Sequence, residues 1–310
     1  DDAQLQQIEQ KQKSQIRLNF EMKKAEFLKL RNANTEADAK AAMDHLGNCV
    51  NGVNPENAKK YCGTGISSKI CFIIVNTYVT PKYQLGVGPL NDAITVAVNH
   101  KKMGYKMLYL HNSNPTEFKK WLQFLLQNTT NDLTIFYTGH GCSVRDKSGD
   151  ESDGYDEVML FDSGYVLDDV LADYLVRFAK GGEQRIVLLS DCCHSGSIWD
   201  IQSILNKSKA GNKIPSHIVS ISAAQDNQTA KQTKVDSKDQ GIFTYFFWDI
   251  WQDKQDITFK DMEKQINPKI SRFTQLFTVA TTTPSMLEGP IFPDRERPPR
   301  RPRRPRQQRQ

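Results

Sequence analysis

From residue 69 onward, short apolar runs alternate with longer stretches whose apolar residues recur at helical spacing. The runs Ile70–Val75, Lys106–His111, Leu133–Thr138, Arg185–Ser190 and His217–Ala223 read as strands, with a further candidate at Phe273–Val279. Gly88–Lys102, Pro115–Gln127, Leu167–Lys180, Gln240–Gln252 and Thr258–Ile270 read as helices. The strand runs are apolar throughout and do not alternate, which marks strands buried on both faces. Strands of that kind separated by helices predict βαβ units and a mostly parallel sheet covered on both sides, an α/β fold. Residues 1–46 lack Pro and Gly and carry Leu5, Ile8, Ile16, Phe20, Phe27 and Leu30 roughly on one face, ending at Gly47-Asn48. They predict an amphipathic helical arm that packs on the core or binds a partner. A coiled coil is not expected, because Gln12 and Lys23-Lys24 interrupt the heptads. Cys142–Gly154 and Ile204–Pro215 read as exposed loops.

Composition changes the picture mainly at the C-terminus. The formal net charge is +5, yet residues 294–310 hold eight Arg against one Asp and one Glu. The rest of the chain is therefore close to neutral, and a domain-wide basic footprint for nucleic acid is excluded. The tail itself suits an acidic partner or RNA, or a disordered extension, since Pro and like charges oppose packing. The predicted division is a helical arm over 1–65, a catalytic domain over 66–290 and an Arg/Pro-rich tail over 291–310. No apolar stretch is long enough to span a bilayer, and the opening DDAQLQQIEQ has no apolar signal core. Six cysteines include the adjacent pair Cys192-Cys193 and no Cys-x-x-Cys, so neither a disulfide framework nor a zinc site is indicated. A reducing, cytoplasmic setting follows, with organellar import compatible with the missing initial Met. Export would instead allow Cys49 and Cys62 to pair. The glycosylation patterns at Asn128, Asn206 and Asn227 carry no expectation in a reducing compartment.

Two motifs carry chemistry. Tyr137-Thr138-Gly139-His140-Gly141 follows one predicted strand, and Asp191-Cys192-Cys193-His194-Ser195-Gly196-Ser197 follows another. In open α/β sheets sites form at the strands' C-terminal edge, and both motifs reach that edge. A nucleophilic cysteine needs a base to hold it as thiolate, and imidazole suits that role near neutral pH. If the strand continues into the motif, Asp191 and Cys193 share one face and Cys192 points away as a buried filler. His194 reads as a loop-shaping residue.

Taken together, these motifs resemble the metacaspases, clan relatives of the caspases. The likeness runs from about Ile70 to Ser285. It includes Gly149-Asp-Glu-Ser-Asp-Gly-Tyr-Asp-Glu157, Val166-Leu-Asp-Asp169 and Ser220-Ile-Ser-Ala-Ala-Gln-Asp-Asn-Gln-Thr229. The short stretch from Cys193 to Ser220 is similar to type I enzymes. The resemblance implies a caspase-like α/β/α sandwich and a cysteine endopeptidase acting as a monomer. It makes Cys193 the nucleophile, His140 the base, and the amides of Gly141 and Cys193 the oxyanion hole. It also implies cleavage after Arg or Lys, with Asp92, Thr138 and Asp191 holding the basic side chain. Asp92 lies in Gly88-Pro-Leu-Asn-Asp-Ala93, where Pro89 replaces the family's Cys.

The resemblance further implies a calcium site at Asp156, Asp168, Asp169 and Asp200. Carboxylates from separate segments repel unless a hard cation joins them. An EF-hand loop does not fit, since a Gly154 at its sixth position would put Gly149 first and Leu160 twelfth. The alternatives are a solvated acidic loop with Asp168 and Asp169 at a helix start, and for Asp92 a helix-first-turn acid. Self-cleavage at Lys207, Lys209 or Lys213 follows from the predicted loop. The competing reading of the whole chain is a catalytically silent caspase-like scaffold in a larger assembly.

Overall fold

The computed structural model describes residues 35–57, 69–145, 155–192, 198–209, 217–223, 232–235 and 238–294. Cys193, Cys62, Lys213, residues 1–34 of the arm, 149–154 of the acidic motif and the Arg-rich tail from 295 lie outside them.

Lys69–Val75 (β2), Asp132–Thr138 (β4) and Arg185–Asp191 (β8) form the middle of a seven-stranded sheet. Lys106–His111 (β3) and the short Asn48–Cys49 (β1) extend it on one side. Ile218–Ser222 (β9) and Thr278–Thr281 (β12) extend it on the other. Every pairing is parallel except β9 with β12, which is antiparallel. The central strands are buried along almost their whole length, which accounts for their unbroken apolar runs.

Helices cover both faces. On one lie Glu36–Leu46 (α1), Gly88–Lys102 (α2), Ile242–Asp253 (α6) and Phe259–Ile270 (α7), around a core that includes Ile94, Phe247 and Trp248. On the other lie Pro115–Asn128 (α3), Asp168–Phe178 (α4) and Ile201–Lys209 (α5). Helix α3 shows how the sequence sets this up. Asn114 caps it by accepting from the Glu117 amide at 2.9 Å. Phe118, Trp121, Leu122, Leu125 and Leu126 then fall on one stripe and are buried. Each such side chain contributes roughly 1.5–3 kcal/mol by leaving water. Helix α1 is also part of the core, since Ala39, Met43 and Leu46 pack into it beside α2.

Three sequence readings change. The stretch 204–215 is not a loop from its start, because α5 continues through Lys209 and includes Lys207. The expected loop from Cys142 begins as a strand. Gly141–Arg145 (β5) pairs with Tyr155–Phe161 (β6), which pairs with Gly164–Leu167 (β7), forming a small antiparallel sheet. The candidate strand Phe273–Val279 shifts to β12, since Ser271–Phe273 is a tight helical turn and Thr274 is left-handed at φ 61°. A two-stranded ribbon, Gln232–Val235 (β10) with Lys238–Gly241 (β11), was not read from the sequence at all.

The strand register places the site. Val75 sits opposite Thr138, and Thr138 sits opposite Asp191. Three parallel strands therefore end level, and the segments that follow them leave the sheet at one edge.

Candidate active site

His140 follows β4 by one glycine. A Cβ on Gly139 would stand 2.8 Å from the hydroxyls of both Tyr78 and Tyr137, so only glycine fits there. The two tyrosines grip the peptide of His140 from both sides. The His140 amide donates to Tyr78 Oη at 2.7 Å, and Tyr137 Oη donates to the His140 carbonyl at 2.6 Å. Tyr78 Oη in turn donates to the Leu160 carbonyl at 2.8 Å, tying the site to β6. Burial pushes both phenols well above their ordinary range, so they remain neutral donors.

The imidazole is oriented as well. Its Nε2 lies 2.7 Å from the carbonyl oxygen of Tyr83. A carbonyl only accepts, so Nε2 carries the proton, and the lone pair of the neutral ring falls on Nδ1. Tyr83 ends the turn Pro81–Tyr83, which is anchored by the amides of Val79 and Thr80 on the Asp162 carboxylate at 3.0 and 2.9 Å. The Tyr78 ring tilts against the imidazole with centroids 4.9 Å apart.

Alternation along β8 separates its last residues. Cys192 is buried in the core beneath α3, α4 and α5, and Asp191 turns to the opposite face against α6. This is the orientation the sequence predicts for those two side chains. Cys193 comes next in the chain and lies outside the described residues. Gly141 is buried and opens β5 directly after His140.

Asp92 and Asp191 come together although 99 residues separate them. Asp92 Oδ1 accepts from the Gly241 amide at 2.7 Å. Asp191 Oδ2 accepts from the Thr244 amide at 3.2 Å and from its hydroxyl at 2.5 Å. Both carboxylates thus meet the N-terminus of α6, where unpaired amides and the helix dipole favour negative charge. Burial raises the Asp191 pKa, and the Thr244 bonds lower it in part. Thr138 is buried beside Asp191, and its hydroxyl has no partner among the described residues.

The acidic set is only partly assembled. Asp168 begins α4 and is buried. Its Oδ2 accepts from the Glu157 amide at 3.1 Å and its Oδ1 from the Asp169 amide at 2.8 Å. Burial pushes its pKa up to about 7, with the charges of Asp200 and Asp169 adding to the rise. Those three carboxylates therefore feel one another. Asp200 also caps α5 by accepting from the Ser203 amide at 3.0 Å. Asp156 is buried on β6, opposite Val144. Among the described residues, no three His, Cys, Asp or Glu side chains are arranged to hold a metal.

Sequence reasoning missed Tyr78, Tyr83, Gly241 and Thr244. Only Tyr78 left a signal: it follows β2 by three residues and so reaches the same sheet edge as His140.

A parallel sheet between helices, with a histidine and a cysteine motif at one strand edge, defines a caspase-like fold. The solved structures agree. A Geobacter sulfurreducens protein matches with TM-score 0.56 and 21% identity, covering 71% of this chain and 96% of its own. Caspase-1 of Spodoptera frugiperda matches with TM-score 0.51 and 10% identity, covering 71% and 88%. The caspase domain profile matches residues 68–290, and the chain belongs to that family. Among curated relatives, metacaspase-1 of Arabidopsis thaliana is 30% identical over 149 residues, 41% of this chain and 40% of its own length. Metacaspase-1A of Aspergillus oryzae is 32% identical over 171 residues, 49% of this chain and 40% of its own length. The matches thus span less than half of these relatives.

Proposed function

We propose that the chain is a cysteine endopeptidase of metacaspase type, with His140 as base and Cys193 as nucleophile. The orientation of His140 carries the reading: Tyr83 takes Nε2–H and leaves Nδ1 as the proton acceptor at the strand edge. Nδ1 takes the Cys193 proton, and the thiolate attacks the peptide carbonyl carbon, forming a C–S bond. The C–N bond then breaks as the imidazolium gives its proton to the leaving amine. Water, deprotonated by His140, splits the thioester and releases the new carboxyl end. The amides of Gly141 and Cys193 serve as donors to the oxyanion. Protein substrates enter with Arg or Lys at the cut site, and the enzyme works as a monomer. The meeting of Asp92, Asp191 and Thr138 supports the basic preference, since paired buried carboxylates select a cation.

Calcium is the proposed cofactor. Asp168, Asp169 and Asp200 fit it in donor chemistry, since their mutual repulsion is relieved by a hard cation, and Asp156 completes the set. When bound, it supplies positive charge that orders these acidic segments.

The test compares peptides ending in Arg, Lys or Asp, with and without calcium, in wild type and Cys193→Ala. Turnover of the Arg peptide, lost in Cys193→Ala, is expected. A preference for Asp would overturn the pocket, and calcium-independent turnover would remove the cation.

One observation favours the silent scaffold. The Gly241 backbone sits between the two pocket carboxylates, where a substrate cation would bind. An Arg-directed thiol-reactive probe separates the readings. A folded protein that fails to label at Cys193 would be a scaffold.

A further inference from the structure

We propose that Tyr78 is a positioning residue for His140, held in a strained backbone by Asn112; this rests on the reading of His140 as the base. Tyr78 has φ 66°, a left-handed conformation that costs a bulky residue about 1–2 kcal/mol. Such strain persists only where the surroundings over-determine it, and here they do. Asn112 Oδ1 accepts the amides of both Thr77 and Tyr78, at 2.8 and 2.9 Å. Asn112 is itself left-handed at φ 47°, and its amide donates to the Val75 carbonyl at 3.1 Å. The Thr77 hydroxyl is also engaged, lying 2.7 Å from Glu36 Oε1 and 2.8 Å from His111 Nε2.

The strained turn has a clear result. It points the Tyr78 ring, only 3% exposed, back over the sheet edge. The hydroxyl then takes the His140 amide, and the ring face lies against the imidazole. A relaxed extended residue at position 78 would direct its side chain elsewhere. Tyr78 therefore fixes both the backbone and the ring plane of His140, while Tyr83 fixes its rotation. A base held in this way pairs more closely with the thiolate and lowers the pH at which the thiolate forms.

The test reads that pH directly and needs no substrate. Cys193 is alkylated with iodoacetamide across a pH series and followed by peptide mass mapping, so that other cysteines do not contribute. Tyr78→Phe, which keeps the ring and removes the hydroxyl, is expected to raise the half-labelling pH by about one unit. Asn112→Gly, which tolerates the positive φ but lacks the acceptor, is expected to do the same. Asn112→Asp, which keeps the acceptor, should behave as wild type. His140→Ala sets the upper limit. A large shift in His140→Ala with none in Tyr78→Phe or Asn112→Gly would overturn the role of Tyr78. No shift in His140→Ala would overturn the base itself, and this inference with it. If Tyr78→Phe does not fold, the contrast of Gly and Asp at position 112 decides.

Discussion

The amide of Gly241 donates to Asp92 Oδ1 at 2.7 Å, joining residues 149 positions apart in the chain. A Cβ at this position would stand 2.1 Å from Asp191 Oδ2 and 2.8 Å from Asp92 Oδ2. Gly241→Ala must therefore push the two carboxylates apart or move the start of α6. Overpacking of this kind costs about 1–3 kcal/mol. A lowered thermal midpoint is expected, together with weaker binding of Arg peptides. A variant with wild-type stability and wild-type KM would show that this contact is looser than described.

Asp191 gives a pH prediction. Burial raises its pKa in the folded state, so the folded protein holds that proton more tightly than the unfolded chain does. Ionising the group therefore opposes folding. The cost is absent below the ordinary carboxylate range and grows as pH rises towards the raised value. Asp191→Asn removes that cost and keeps an acceptor for Thr244. At pH 7 its thermal midpoint should equal or exceed wild type, with the difference vanishing near pH 3.5. Its KM for Arg peptides should rise about tenfold or more, as expected for losing a charge-assisted contact. A KM equal to wild type would exclude Asp191 from the pocket.

His100 gives the opposite sign. It is fully buried among the rings of Tyr105, Trp248 and Phe292. Nδ1 donates to the Val96 carbonyl, so Nε2 accepts from the Thr134 hydroxyl, each at 2.9 Å. Burial lowers its pKa from 6.5 to about 4. The unfolded chain takes the proton first, so stability is lost as pH falls from 6.5 towards 4. The contribution is about 3 kcal/mol. Urea midpoints at pH 7 and 4.5 should differ less in His100→Gln than in wild type. Equal differences would show that His100 does not carry the acid sensitivity.

Calcium binding by the acidic set has a readout independent of activity. A ligand of the folded state stabilises it by about 2.7 kcal/mol at a hundredfold excess over its dissociation constant. Calcium should therefore raise the thermal midpoint of wild type, and Asp200→Asn should reduce the rise. A calcium response unchanged in Asp200→Asn would place the ion elsewhere.

Much of this protein was readable before its structure. Helix α2 matches its predicted limits, and β3 does too, because unbroken apolar runs and helical spacing are local signals. The antiparallel β5–β6–β7 sheet escaped notice since its strands are short and partly polar, as at Gly141–Arg145. Helix α5 was taken for a loop from Ile204 because Lys, Asn and Gly dominate the segment that follows.

The sequence by itself determined the fold class and the two strand-end motifs. It also set Asp191 and Cys192 on opposite faces of their strand, since alternation along a strand is fixed by backbone geometry. Only the tertiary structure decided what surrounds His140. Tyr78 and Tyr83 arrive from the β2–α2 connection, about 60 residues away, because parallel strands ending level bring distant loops to one edge. Only the structure placed Gly241 between Asp92 and Asp191. That contact depends on how α6 packs against the sheet, and packing between distant segments leaves no period in the sequence.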